Sequence, residues 1–181
     1  MKTKTNLFAF SSVTLTFTYL TVGAVLAQVK LTNQSKLAIN GIGPIRVRMT
    51  VPEAAKAAGT RLVSDPLNNN CYYIKPQGEP KDIGFMVTQG RISRVDVWRN
   101  KKITTLKGAK IGDSEARIKS LYPGQIKVSF HKYVQGGHYL TFVPKDSADK
   151  NYRVVFETDG KRVVTFRSGK LPEVEFVEGC S

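Results

Sequence analysis

Ile45-Arg46-Val47-Arg48-Met49-Thr50-Val51-Pro52-Glu53-Ala54-Ala55 passes from an apolar residue to a hydroxyl and then into a run of helix formers. Thr50 with Glu53 three residues later fits a capping box, and Pro52 falls in the first turn, where a missing N–H costs nothing. Alanines 54, 55, 57 and 58 favour helix, and Gly59 ends it. The same order returns at Ala109-Lys110-Ile111-Gly112-Asp113-Ser114-Glu115-Ala116-Arg117-Ile118, with Ser114 as cap and Pro123-Gly124 as stop. Both helices are short.

Strands follow each helix. Tyr72-Tyr73-Ile74 opens the first set, and Phe85-Met86-Val87, Thr88-Gln89-Gly90 and Ile92 to Trp98 read as a hairpin. Tyr139-Leu140-Thr141-Phe142 opens the second. Val154-Val155-Phe156, Thr158-Asp159-Gly160 and Val163 to Arg167 form the matching hairpin, whose Asp-Gly supplies the positive φ its turn needs. A fixed order of elements at a near-constant offset predicts an α+β fold of two tandem repeats, each with short helices on one face of an antiparallel sheet. The expected boundaries are 41–106 and 107–181, joined by the polar, basic segment 99–107. Residues 28–40, polar and aperiodic, read as an N-terminal tail.

Strand alternation divides each sheet. Tyr72, Ile74, Met86, Val95 and Val97, then Leu140, Phe142, Val154, Phe156, Val164 and Phe166, are expected to face the helices. The opposite face holds Tyr73, Phe85, Val87, Ile92, Arg94, Asp96 and Trp98, then Tyr139, Thr141, Arg153, Val155, Glu157, Thr165 and Arg167. Aromatic and arginine residues are the types enriched at binding hot spots. Tyr73, Arg94, Trp98, Tyr139, Arg153 and Arg167 are therefore the candidate binding residues. The alternative is that this face is a second core layer, with Trp98 packed at the junction of the repeats.

The first 27 residues decide the compartment. Lys2 and Lys4 precede an uncharged, largely apolar run from Leu7 to Leu26, closing on Val25-Leu26-Ala27 with small residues where a signal peptidase reads. The expectation is a secretory signal cleaved after Ala27. The alternative is a retained anchor, against which Ser11, Ser12, Thr14, Thr16, Thr18 and Thr21 dilute the run. Membrane contact is expected only through this segment. No cysteine follows the cleavage point to carry a lipid. The two cysteines, Cys71 and Cys180, favour one structural disulfide in an oxidising compartment.

The net charge is +14, with Lys2 and Lys4 in the leader. In the cytosol that excess would point to nucleic acid. Outside it, no nucleic acid is expected, and the available anions are phosphorylated or sulfated polysaccharides, wall polymers, lipid head groups and acidic proteins. No Walker loop, dinucleotide fingerprint or nucleophile elbow is present, and no cofactor or metal site is expected. An enzyme would have to draw on His131, His138, Glu157 and Asp159.

In its helix beginnings at Val47-Arg48-Met49-Thr50 and Ile111-Gly112-Asp113-Ser114, its Thr-x-Gly hairpins and its closing Glu178-Gly179-Cys180, the chain resembles the tandem-repeat family of the beta-lactamase inhibitor protein. It also resembles the small outer-membrane assembly lipoproteins built on a single such repeat. The resemblance spans residues 41–181 and implies a binding protein without chemistry, gripping a partner on a concave sheet. Two departures stand out: Arg48 occupies the position of the motif's glycine, seen here as Gly112, and the lipid-anchor cysteine is missing. The expected function is thus non-catalytic binding of a protein or an anionic envelope polymer. The alternatives are inhibition of a hydrolase and an enzyme acting on an envelope polymer.

Overall fold

The computed structural model describes residues 30–64 and 70–180, so the expected signal segment lies outside the described residues. The architecture is mixed α+β and mostly sheet. In chain order the strands are β1 (Lys36–Ala38), β2 (Gly41–Ile42), β3 (Ile45–Arg46), β4 (Leu62–Ser64), β5 (Cys71–Pro76), β6 (Ile83–Thr88), β7 (Arg91–Val97), β8 (Thr104–Thr105), β9 (Ile126–Phe130), β10 (His138–Phe142), β11 (Tyr152–Thr158) and β12 (Val163–Lys170). Helix α1 (Val51–Ala58) lies between β3 and β4, and α2 (Glu115–Leu121) between β8 and β9.

Both helices start as the sequence indicates. The Thr50 backbone N–H donates to the Glu53 carboxylate at 2.7 Å and the Thr50 hydroxyl accepts from the Glu53 N–H, completing the capping box, while Gly59 at φ 66° closes α1. Ser114 accepts from the Arg117 N–H at 3.1 Å. Pro123 cannot extend α2, which ends at Tyr122.

Eight strands form one sheet in the order β4-β5-β6-β7-β12-β11-β10-β9, with β7 and β12 paired antiparallel at its centre. Each side of that seam is reached by a helix followed by antiparallel strands. The hydrogen bonds at the two helix beginnings correspond one for one. Arg48 N–H donates to Ile92 O and Ile92 N–H to Met49 O; Gly112 N–H donates to Val163 O and Val163 N–H to Asp113 O. Arg91 and Arg162 each donate to a carbonyl, Arg48 O and Gly112 O, at 2.8 Å. Both hairpins bulge at matching places. Met86 faces Arg94 while Val87 faces Ile92, leaving Ser93 extra; Glu157 faces Thr165 while Thr158 faces Val163, leaving Val164 extra.

The observed registers correct the expected faces, at β6 through its pairing with β5 and at Ile92 and Val164 through the bulges. A one-residue shift moves side chains across the sheet. Phe85, Val87 and Ile92 lie in the helix-side core with Ile74, Val95 and Val97, whereas Met86 is buried on the opposite face. Val164, expected inside, is 42% exposed, and Val163 takes its place in the core. Residues 28–40 are not a tail as far as they are described. Leu31 and Leu37 are buried, and β1 joins β2, β3 and β8 in a second, four-stranded sheet. The joining segment 99–107 is likewise structured, since β8 runs parallel to β1 and Ile103 is fully buried.

Candidate functional site

The disulfide Cys71–Cys180 is present, and its position reshapes the expected binding face. Cys71 lies on β5 beside Tyr73, on the side away from the helices. Tying Cys180 there draws residues 171–180 across that side, with a 3-10 turn at Glu173–Glu175. Val174 is fully buried against Tyr139 and Val155, with Leu171 and Val177 alongside. Arg94 donates to the carbonyls of Glu173 (3.0 Å) and Phe176 (2.6 Å), and Arg167 Nε donates to Val174 O at 2.7 Å.

Three of the six candidate binding residues are therefore buried: Arg94 (3% exposed), Arg167 (5%) and Tyr139 (8%). Arg94 forms an ion pair with Asp96 at 2.9 Å, and the Tyr73 hydroxyl both accepts from Arg94 (2.8 Å) and donates to Asp96 (3.2 Å). Burial, then the Asp96 charge, pushes the Tyr73 phenol well above its ordinary value. Arg167 pairs with Glu157. Trp98 is half-buried, 5.9 Å from the Tyr73 ring and packed over Gly84, where any Cβ would meet its Cη2 at 2.4 Å. Arg153 is half-buried and donates to the carbonyls of Lys150 and Tyr152. Arg94, Arg167 and Tyr139 thus hold the protein's own C-terminal segment. An arginine reads alike in sequence whether its carbonyl partners come from another molecule or from its own chain.

Of the four residues an enzyme would draw on, His131 and Glu157 meet on one face of the sheet, whereas His138 pairs with Glu115 on the other and Asp159 lies in the hairpin turn. His131 Nδ1 accepts from the N–H groups of Tyr133 and Val134 at 3.1 Å, so the pattern assigns the proton to Nε2, which faces Glu157 at 3.5 Å. The ring stacks on Tyr139 at 4.5 Å. His138 Nδ1 lies 2.8 Å from Glu115, which also accepts from the Thr158 hydroxyl at 2.6 Å. Asp159 accepts the N–H groups of Lys161 and Arg162 and shapes the hairpin turn. No group of three or more metal-ligating side chains is found among the described residues, and none of their helices is long and apolar enough to cross a membrane.

Glu115 carries a pH prediction. Burial opposes its ionisation, but the hydrogen bonds from Thr158 and His138 outweigh it and hold the carboxyl below its ordinary value of 4.5. A depressed carboxyl stabilises the fold above the unfolded value and loses that contribution as pH falls through the native one. Denaturant unfolding between pH 7 and pH 3 should show stability falling below about pH 4.5. Glu115→Gln should make that decline shallower. An unchanged slope would contradict the assigned role.

A cleft of about 880 Å³ lies where the β6–β7 turn faces the segment leading into β11 and the end of β12. Arg48, Arg91 and Lys170 line it with Gln89, Asn151 and Tyr152, and no carboxylate is among its lining residues. Lys170 is paired with Glu173 just beyond the wall, and Arg91 is tied to Arg48 O. The Arg48 guanidinium is exposed and makes no hydrogen bond or ion pair among the described residues. Its backbone sits at φ 79°, in the left-handed region; the corresponding Gly112 sits at φ 93°. A side chain there costs about 1–2 kcal/mol, which glycine avoids. The Arg48-for-Gly departure was legible in the sequence; the cleft was not, because its walls come from segments about 100 residues apart.

The chain matches no protein-family model and no curated protein sequence. It is similar to one solved structure, that of the uncharacterised protein YfeY from Escherichia coli. The two are 17% identical, with 75% of this chain and 99% of that chain covered and a TM-score of 0.48.

Proposed function

We propose that this is an exported, non-catalytic binding protein that holds an anionic polymer in the cleft formed by Arg48, Arg91 and Lys170. The observation that carries this reading is Arg48 itself. A strained backbone is kept at a position where glycine would relieve it, and the residue carried there lines the cleft with no side-chain partner among the described residues. Strain of this kind is maintained where a side chain is needed, and guanidinium forks suit sulfate, phosphate and carboxylate. The leader-like residues 1–27 and the Cys71–Cys180 disulfide support export. The separation of the His131–Glu157 pair from His138 and Asp159, which take other partners, supports a role without chemistry.

The matching hydrogen bonds and bulges of the two halves support a tandem duplication of one helix–sheet unit, as the resemblance to the beta-lactamase inhibitor family implies. Inhibition through the face opposite the helices is disfavoured, because residues 171–180 lie on it.

The test is titration with dextran sulfate, with neutral dextran as control. Dextran sulfate should bind, more weakly as salt is raised, and dextran should not. Arg48→Gln should weaken binding about tenfold, the loss of one charge-assisted contact. Arg117→Gln, removing an exposed cation on α2, should change it less than about twofold. Equal losses from both variants would reduce the effect to net charge and overturn the reading.

A further inference from the structure

Strand β9 ends the eight-stranded sheet, and its residues become more exposed along its length: Val128 is 48% exposed and Phe130 84%. An apolar strand at an open edge is a pairing site unless something blunts it. Here the blunting is slight: β9 holds no proline, no bulge and a single charge, Lys127.

The hydrogen-bond phase of β9 is fixed by its neighbour. Residues pair with β10 as Lys127 with Thr141, Val128 with Leu140 and Ser129 with Tyr139. Beyond the two ends, Val143 N–H donates to Gln125 O and His131 N–H to Gly137 O, both 2.9 Å. Hydrogen-bonded pairs alternate along an antiparallel ladder. Lys127 and Ser129 therefore turn their backbone groups toward β10, and Ile126, Val128 and Phe130 turn theirs outward. None of these outward groups bonds another segment among the described residues.

We infer that β9 pairs with β9 of a second copy of this chain, antiparallel and two-fold symmetric about Val128. That register is selected by three independent features. It is in phase, since Val128 meets Val128 and Ile126 meets Phe130 at positions whose N–H and C=O groups all point outward, giving six backbone hydrogen bonds. It buries the exposed side chains together, because Ile126, Val128 and Phe130 share the face of Leu140 and His138. It also avoids charge conflict, since Lys127 of one copy lies opposite Ser129 of the other and never opposite itself. A symmetric contact of one patch with itself closes and does not propagate. The contact joins two eight-stranded sheets into one.

The net charge of +14 opposes association, so the dimer should strengthen with salt, the reverse of polyanion binding. Sedimentation of protein purified from expression of the full chain should give the mass of two chains at about 100 µM in moderate salt and a lower average mass at low salt. Val128→Lys sets two ammonium groups against each other at the axis and should give single chains. Val128→Pro removes only an outward N–H, so it should also dissociate the dimer while leaving the β9–β10 ladder intact. Circular dichroism identifies any variant that fails to fold. Val164→Lys, at an exposed apolar residue away from the edge, should leave the dimer unchanged. Wild-type protein sedimenting as one chain, or folded Val128 variants remaining dimeric, would overturn the inference.

Discussion

Replacing Cys180 by serine should lower the unfolding free energy by about 4–5 kcal/mol, the chain-entropy value for a loop of this size. The bridge spans a sequence separation of 109, so most of the described chain lies within the loop whose freedom it removes from the unfolded state. The native state suffers as well. Residues 171–180 would then be held across the sheet without a covalent tie, by Val174 in its pocket, the carbonyls that Arg94 and Arg167 grip, and the contacts of Glu173 with Thr88 and Lys170 and of Glu178 with Lys132 and Tyr133. Denaturant midpoints measured with and without reductant check this: reduced wild type should match Cys180→Ser, and the variant should ignore reductant. A variant as stable as oxidised wild type would mean that the strap and its closure contribute little.

Arg94→Ala should cost about 3–5 kcal/mol, because it leaves the Asp96 carboxylate buried without its cation. The guanidinium satisfies four groups at once: Asp96, the Tyr73 hydroxyl and the carbonyls of Glu173 and Phe176. Truncation takes this donor from both carbonyls and leaves Asp96, 3% exposed, with the Tyr73 hydroxyl but without its paired cation. Converting Arg94 and Asp96 together to leucine should recover much of the loss, since the unpaired charge goes with its partner. The Arg94→Ala and Cys180→Ser losses should sum to less than their separate values, as both loosen the same strap. Equilibrium unfolding of the four variants decides it; full additivity would place the two devices in independent parts of the molecule.

The sequence made the helices legible because their starts are chemical: Thr50 with Glu53, Ser114, and the glycine and proline stops all act through neighbours in the chain. The disulfide was legible from the number of cysteines and the expected compartment. Strand faces were harder. Residues 83–87 are all buried, so alternation carries no signal there, and the bulges at Ser93 and Val164 shift the register without marking the sequence. The covered face was partly legible. With Cys71 placed next to Tyr73 on a strand, its bond to Cys180 requires the C-terminal segment to cross that face, and the apolar residues Val174, Phe176 and Val177 then need a surface to lie on. The strand β1 was missed because Leu31 and Leu37 sit singly among polar residues and owe their burial to partners far along the chain, including β8.

The role of Arg48 is tested most directly by Arg48→Gly, measured for both stability and dextran sulfate affinity. Glycine restores the residue type found at the corresponding position 112 and relieves the left-handed strain. The expected result is a protein at least as stable as wild type, by up to about 1 kcal/mol, that binds dextran sulfate about tenfold more weakly. Undiminished binding by a fully folded Arg48→Gly protein would contradict the assignment of the cleft as the place where this protein holds its ligand.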